Sequence, residues 1–266
     1  MLSALGLALL LPAVAHSAAI NYGTAGVSYG QNFDTLASSG TSNPWSNGET
    51  ITGWHWLDEQ GAVPATYTTN SGSGARDVIT SLGNSADRAF GGQNDDLEAT
   101  YHFGAQILNA TGNTLDSFTL AYTGEQWRMI RNEGTDQLTF EYQIFNAGEG
   151  SLAAATGWNA VAELNFIAPR TTTGGSTGLD GNLPANRVES ITSTVAGLTW
   201  SAGQEVWLRW ADYNPGSSDF LRAQLGIDDV SFSATAAAIP EPSTSAVLVG
   251  LGALGLVSLR RRCAGC

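Results

Sequence analysis

Apolar and polar residues alternate with a period of two in several short stretches of this chain. The alternation is unbroken at residues 138–144 and recurs at residues 97–103, 118–122 and 206–210, with a last short stretch ending at Phe232. This period turns successive side chains to opposite faces of a strand, so one face of each stretch is apolar. Clusters of Asn, Gly, Ser and Thr between the stretches predict tight turns. The pattern predicts a domain of many short strands.

A helical period of 3.6 residues is found only near the two ends of the chain. No linker divides residues 18–238, a length that one large all-β domain can take. The 32 glycines fit many tight connections. Many short strands in one unbroken domain predict a single β-sandwich with the jelly roll as its form. We expect it to be flanked by an N-terminal signal helix and a C-terminal apolar helix.

Residues 1–17 have the pattern of a secretory signal peptide. The apolar core from Leu5 to Leu11 is too short to span a bilayer. Small residues follow, and Ala15-His16-Ser17 predicts cleavage before Ala18, with cleavage after Ala15 or after Ala19 as the alternatives. The central domain is therefore expected to be exported.

The other end of the chain, residues 239–266, has the pattern of a membrane anchor. Residues 246–259 are apolar or small throughout. Arg260, Arg261 and Arg262 follow at once, and such a cluster stays in the cytoplasm by the positive-inside rule. These features predict a short transmembrane helix whose N-terminal side faces outward.

This end resembles the PEP-CTERM sorting signal, in which a Pro-Glu-Pro motif precedes a short apolar helix and an arginine cluster. Pro240, Glu241 and Pro242 match the motif. The resemblance implies export by the secretion machinery, transient anchoring in the inner membrane, and cleavage near the motif by an exosortase, a membrane-embedded protease. It further implies a final place at the cell surface or in an extracellular matrix that contains exopolysaccharide. A simple membrane-anchored envelope adhesin is the alternative.

A second resemblance covers most of the central domain. The segments FDTLASSG, DRAFGG, YTGEQWR, GLDGN, VWLRWADYN and GIDDVSF occur in an order similar to that of PEP-CTERM-bearing surface proteins of the concanavalin-like sandwich type. The similarity implies the fold and carries no established chemistry.

The chain is acidic, with 24 aspartates and glutamates against 11 basic residues and a net charge of -13. Such a surface repels nucleic acid and anionic lipid, so we do not expect nucleic acid as a partner. Neutral glycans or divalent cations suit it better. Both cysteines, Cys263 and Cys266, lie in the tail, so the central domain depends on its core and not on disulfides.

Glu125, in the stretch YTGEQWR, is the candidate for a catalytic carboxylate. Glycoside hydrolysis needs two carboxylates across the scissile bond, and Asp228 or Asp229 would supply the second. The alternating carboxylates on one strand that many concanavalin-like glycosidases carry are missing from this sequence. An ion pair of Glu125 with Arg128 around a packed Trp127 is the alternative. The sequence therefore favours a protein without catalysis.

The candidates for a structural calcium site are the aspartates Asp212, Asp219, Asp228 and Asp229. Calcium binds several carboxylate and carbonyl oxygens on irregular loops. Turn capping by the same side chains is the alternative. His55 and His102 lack a histidine or cysteine at a zinc-binding spacing. No cofactor is required by these patterns.

Eight tryptophans suggest glycan binding, because sugar rings stack on exposed aromatic faces. The candidates for ligand contact are Trp54, Trp56, Trp127, Arg128, Trp207 and Arg209. Core packing is the alternative for each tryptophan. The sequence thus predicts an exported, non-catalytic β-sandwich that binds glycan or has a structural role, with a glycan-cleaving enzyme as the alternative.

Overall fold

The computed structural model describes residues 18–58, 60–74, 78–94, 100–129, 136–171, 176–213 and 223–236. The predicted signal peptide and sorting tail lie outside these ranges, as do the helices expected there. Within them the chain is all-β, with one 3-10 turn at Ala162–Leu164. No helical segment of the described residues is long and apolar enough to cross a membrane.

Sixteen strands lie in the described ranges. The first eight are β1 (Ile20–Tyr22), β2 (Tyr29–Gln31), β3 (Asn43–Pro44), β4 (Trp54–Leu57), β5 (Thr66–Asn70), β6 (Thr80–Leu82), β7 (Ala89–Gly92) and β8 (His102–Asn109). The second eight are β9 (Leu115–Met129), β10 (Gln137–Asn146), β11 (Asn159–Ala160), β12 (Phe166–Ile167), β13 (Thr177–Gly178), β14 (Arg187–Trp200), β15 (Gln204–Tyr213) and β16 (Gln224–Ala236).

Seven strands form one sheet in the order β1-β8-β15-β10-β11, with β4 also paired to β8 and β12 to β10. Its central strands β8, β15 and β10 are antiparallel neighbours. The alternation predicted at residues 138–144 lies in β10, where Leu138 and Phe140 are buried and Glu141 is half-buried. The local pattern was therefore sufficient to predict this strand.

Nine strands form the other sheet in the order β13-β9-β16-β7-β6-β5-β3, with β14 also paired to β9 and β2 to β16. The long strand β9 is antiparallel to both of its long neighbours, β14 and β16. Bulges interrupt β14 between Val188 and Ile191 and β16 between Asp228 and Ser231. Both bulges face the same part of β9.

Aromatic side chains fill the space between the two sheets. Tyr122 of the nine-stranded sheet meets Trp210 of the seven-stranded sheet with ring centroids 5.4 Å apart. Phe90 and Phe103 likewise meet across the layers at 5.5 Å. Edge-to-face contacts at these distances are favourable beyond their burial. The predicted all-β sandwich is confirmed, whereas its jelly-roll form stays a prediction.

Candidate functional site

The outward face of the seven-stranded sheet carries a row of polar side chains. Register places His55 of β4 opposite Gly104 of β8, and Gly104 opposite Arg209 of β15, which lies opposite Glu141 of β10. The alternation of each strand turns its apolar residues into the core and these residues away from it. Trp207 lies on the same outward face, two residues before Arg209.

Residues 147–158, which join β10 to β11, cross this outward face, and we call them the strap. Leu152 of the strap is buried in a small cluster with Leu57 and Trp207. Arg209 Nη1 donates to the backbone carbonyl of Leu152 at 2.7 Å. The strap thus covers part of a face that would otherwise be open to solvent.

A cavity of about 280 Å³ lies between the strap and the sheet, and we call it the cleft. Its lining residues are Asn47, His55, Leu57, Val63, Gln106, Gly148, Gly150, Ser151, Leu152 and Trp207. Its volume is near the lower end of small-molecule sites, which start at about 300 Å³. A group of the size of a single sugar ring suits a cleft of this volume.

Trp207 forms the aromatic wall of the cleft although only 4% of its surface is exposed. Its ring lies 4.6 Å from the His55 ring at an angle of 50°. Its Nε1 donates to Glu205 Oε2 at 3.2 Å. Gly150 of the strap lies so close that an added Cβ would be 2.6 Å from Trp207 Cδ1. Strap and neighbours together conceal the ring.

Near the cleft, Arg209 is paired and the two histidines are neutral. Arg209 forms an ion pair with Glu141, and its guanidinium lies 3.8 Å from the centroid of the Trp158 ring. Burial lowers the pKa of His55 to about 4, against a smaller opposing effect of its hydrogen bond with Gln106. Burial and the charge of Arg209 lower the pKa of His102 to about 4. The lining of the cleft therefore holds no charged side chain at neutral pH, and the Glu205 carboxyl group lies behind it, bonded to Trp207 Nε1 and the Gly148 backbone N–H.

The outward face of the nine-stranded sheet holds two buried carboxyl groups. Glu125 lies opposite Gly226, and Asp228 lies opposite Thr123. Glu125 and Asp228 are therefore diagonal neighbours, with Cα atoms about 7–8 Å apart. Only 1% of Glu125 and 3% of Asp228 is exposed. The two carboxyl groups lie on one face but out of reach of a large ligand.

Burial raises the pKa of both carboxyl groups. The pKa of Glu125 is about 7, because burial outweighs the hydrogen bond from Trp127 Nε1 to its Oε2 at 2.8 Å. The pKa of Asp228 is about 9, because burial outweighs the bond from the Asp229 backbone N–H. A buried carboxyl group without a tightly bound cation keeps its proton to higher pH. At neutral pH this pair holds at least one proton.

Asp229 lies beside this pair at the surface. It occupies the bulge of β16 with a left-handed φ of 50°, and Ser190 occupies the bulge of β14 with a φ of 57°. Both line a second cavity of about 280 Å³, together with Thr123, Arg187 and Glu189. Arg187 forms an ion pair with Glu189 at its rim. The bulges turn polar side chains toward this cavity.

The structure places three of the predicted tryptophan contacts in packed interiors. Trp54 and Trp56 are 0% and 1% exposed and point into the core of the sandwich. Trp127 packs with Leu82 and Ala89 on the other side of the nine-stranded sheet. Their burial leaves no ring face for a sugar, so core packing, the alternative interpretation, describes these positions. Arg128 donates to the carbonyl of Gly72 at 2.8 Å.

The predicted calcium ligands are separated. Asp212 is buried at the end of β15 in the seven-stranded sheet and accepts a hydrogen bond from the backbone N–H of Asn94, whereas Asp228 and Asp229 lie in β16 of the nine-stranded sheet. Asp219 lies outside the described residues. Within the described ranges no three His, Cys, Asp or Glu side chains are grouped to hold a metal ion. Calcium at Asp228 or Asp229 stays a prediction.

Most residues of the cleft were not predictable from the sequence. Gln106, Gly150, Ser151 and Leu152 belong to no recognisable motif. The glycines of the stretch AGEGS signal only a connection between strands. The cleft exists because β4, β8 and β15 become neighbours, and no local pattern reports that.

No curated protein matches the sequence. Among solved structures, the chain is similar to a xylan-binding domain from Paenibacillus barcinonensis, with 9% identity over 76% of this chain and 100% of that one and a TM-score of 0.33. It is similar to a carbohydrate-binding module specific for non-crystalline cellulose, with 14% identity, 74% and 98% coverage and a TM-score of 0.33. The enzymatically active domain of tailspike protein 4 of bacteriophage CBA120 shows 12% identity, 72% and 21% coverage and a TM-score of 0.34. Similarity of this extent carries no argument about a ligand.

Residues 238–262 match the PEP-CTERM protein-sorting motif. The match spans Pro240-Glu241-Pro242 and the cluster Arg260 to Arg262, the residues on which the resemblance rested. The motif indicates a protein that is exported, transiently anchored in the membrane and sorted by an exosortase. This chain therefore carries a PEP-CTERM protein-sorting motif at its C-terminal end.

Proposed function

We propose that this is an exosortase-sorted protein of the cell surface or extracellular matrix whose β-sandwich binds a neutral glycan in the cleft, without catalysis. The sorting motif at residues 238–262 supports the first half of the proposal. The cleft supports the second half, since it combines a tryptophan ring with uncharged polar side chains. The cleft is the observation that carries the binding function.

A sugar ring has apolar C–H faces and a rim of hydroxyl groups. Trp207 supplies the aromatic surface for the former, and His55 and Ser151 supply polar atoms for the latter. His55 is neutral at pH 7 because its pKa is about 4. An acidic polymer would meet a chain of net charge -13 and no free cation in the cleft lining. These features favour a neutral glycan.

Binding is tested with the exported protein on a broad glycan array and on the polysaccharide of the producing cell. We expect Trp207→Phe to weaken binding at least about tenfold, the usual loss at a central aromatic contact. Trp200→Phe is the matched control, because Trp200 is fully buried and lies outside the cleft lining. If no array glycan and no cellular polysaccharide binds, the glycan half of the proposal is wrong.

Sorting is tested by the intact mass and location of the protein in hosts with and without an exosortase. We expect loss of the residues after Pro240-Glu241-Pro242, and product at the surface or in the matrix, only when the exosortase is present. A full-length chain held in the membrane of both hosts would instead identify an anchored envelope adhesin.

Glycan cleavage is a second candidate function, favoured by one observation. Glu125 and Asp228 lie on one sheet face with pKa values of about 7 and about 9, and a general acid must hold its proton at working pH. Cleavage would require local opening of this face, since both carboxyl groups are buried. Release of reducing sugar that Glu125→Gln abolishes would support this function. Absence of any release from the glycans that bind would exclude it.

A further inference from the structure

The ring best placed to stack on a sugar is the one that the strap covers. Gly150 lies against the pyrrole part of Trp207, where an added Cβ would be 2.6 Å from Cδ1 and 2.8 Å from Cε2. Only a residue without a side chain fits there, so the backbone of the strap occupies the space that a ligand ring would need. Together with Leu57, Leu152 and His55, this contact leaves only 4% of Trp207 exposed.

The two halves of the strap are held very differently. In the second half, Leu152 is buried, Arg209 Nη1 donates to its carbonyl at 2.7 Å, and Trp158 Nε1 donates to the carbonyl of Ala154 at 2.8 Å. The Trp158 ring also lies 3.8 Å from the Arg209 guanidinium. This half is anchored to the sheet by packing, hydrogen bonds and a cation–π contact.

The first half, residues 147–151, has three described hydrogen bonds to strand residues. The backbone N–H of Glu149 donates to the carbonyl of Asn146 at 3.1 Å, and Asn146 Nδ2 donates to Glu149 Oε2 at 2.9 Å, both where the strap leaves β10. The third runs across to β15, from the backbone N–H of Gly148 to Glu205 Oε1 at 3.2 Å. Gly148 has a φ of 76°, in the region that favours glycine. No hydrogen bond links Gly150 to another residue of the described ranges. Because only the Gly148 bond holds this half across the face, and glycines flank Glu149, residues 147–151 can open locally while the sandwich stays folded.

We infer that the pyrrole part of Trp207 beneath Gly150 is a concealed stacking subsite for a neutral sugar ring, reached when residues 147–151 lift. The inference rests on the proposed glycan binding of the cleft. On lifting, the Gly148–Glu205 hydrogen bond breaks and the Cα of Gly150 leaves the ring. The C–H groups of a sugar then take the place of the glycine methylene. Arg209 is a positioning residue that keeps the second half in place.

Gly150→Ala tests the inference, because the new methyl group cannot share the space of the Trp207 ring. We expect the strap to stay lifted in this variant. Trp207 then becomes accessible to acrylamide quenching and to oxidation by N-bromosuccinimide. Its signal is isolated by subtracting the same measurement on Trp207→Phe. Because the closed state no longer competes, glycan affinity should rise about fivefold or more.

Gly23→Ala is the matched control, since an added Cβ there has no atom within 4 Å and its φ is not left-handed. We expect it to change neither quenching nor affinity. Glu205→Gln is the second variant, which weakens the hold on Gly148 without new bulk and keeps the test open if Gly150→Ala folds poorly. We expect the same changes in this variant at smaller size.

The outcomes separate the subsite from the proposed function. Greater access to Trp207 together with tighter glycan binding supports the subsite. If the wild type binds glycan and the variants with an exposed Trp207 bind it equally or more weakly, the subsite is wrong and the proposed function stands. Absence of glycan binding in the wild type and in both variants, with Trp207 shown to be exposed, overturns the proposed function itself.

Discussion

Both outward faces of the sandwich bury ionisable side chains, but the charges of these side chains are neutralised in different ways. On the seven-stranded sheet, Arg209 and Glu141 neutralise each other as an ion pair beneath the strap. On the nine-stranded sheet, Glu125 and Asp228 are buried side by side, while the neighbouring Arg187 pairs with Glu189 instead. On the first face the opposite charges are paired, and on the second the carboxyl groups stay neutral because they keep their protons. The difference predicts opposite responses of the two faces to pH.

The signs follow from proton linkage. Glu125 and Asp228 have folded pKa values raised above their unfolded values, so the folded state binds more protons and their contribution to stability is lost as pH rises through about 7 and about 9. His55 and His102 have folded pKa values lowered to about 4, so stability falls as pH drops from about 6.5 toward 4. Each face weakens at a different end of the pH range.

The largest expected effect is on the outward face of the nine-stranded sheet, which holds Glu125 and Asp228 and which we call the carboxyl face. In the wild type the free energy of unfolding should fall above about pH 5, with a slope of up to about 1.4 kcal/mol per pH unit for each proton released. The double variant Glu125→Gln/Asp228→Asn should not show this fall. At pH 8 the double variant should be more stable than the wild type by several kcal/mol. Urea unfolding at pH 5, 7 and 9 measures this.

Glu163→Gln is the control for that comparison, because Glu163 is exposed on the 3-10 turn. It should leave the pH profile of the wild type unchanged. A wild-type stability that is constant from pH 5 to pH 8 would contradict the protonation of the buried pair.

The second largest effect is expected on the outward face of the seven-stranded sheet, which holds the cleft and which we call the cleft face. His55→Gln should flatten the acid side of the profile, because the wild type loses up to about 3 kcal/mol between pH 6.5 and 4 in keeping His55 neutral. Gln retains a hydrogen-bonding group toward Gln106 and has no charge to gain. Urea unfolding between pH 4 and 7 measures this. If the variant and the wild type lose the same free energy of unfolding toward acid pH, groups other than His55 cause the loss.

A smaller effect is expected at the ion pair of the cleft face. Glu141→Gln leaves the Arg209 guanidinium without its charged partner, and both side chains are largely buried. We expect a loss of about 1–2 kcal/mol in the free energy of unfolding at pH 7. The loss should change little between 0.1 and 1 M salt, because buried pairs are weakly screened. A loss that high salt abolishes would place the pair in solvent.

The smallest effect is expected at the ion pair of the carboxyl face. Glu189 is 60% exposed as a side chain, so Glu189→Gln should change the free energy of unfolding by less than about 0.5 kcal/mol. The same salt series measures it. A larger loss than that of Glu141→Gln would reverse the proposed ranking of the two pairs.

Strands with one apolar face were predictable, and strands without one were not. The stretch at residues 138–144 showed its alternation and is part of β10. β14 was not predicted, because its Ser- and Thr-rich sequence has few buried positions. In β9 the alternation disappears at residues 123–127, since both faces are buried there. A period-two signal requires that the two faces of a strand carry different kinds of side chain.

The candidate site was predictable only in fragments. Alternation showed that Trp54 and Trp56 share a face, but whether that face points inward depends on the second sheet, which places both in the core. Alternation also separated Trp207 from Val206 and Leu208, and the structure places Trp207 on the outward face under the strap. The concealing contact with Gly150 has no counterpart in the sequence pattern.

The sequence by itself determined the sorting motif and the β class of the domain. Both depend on residues that are near neighbours in the chain: a contiguous tail at residues 238–262 and an alternation that repeats every two residues. Only the tertiary structure decided the cleft, the concealment of Trp207 and the protonation of Glu125 and Asp228. These properties arise because pairing of distant strands sets which side chains meet and how much water reaches them, and burial in turn sets the pKa values.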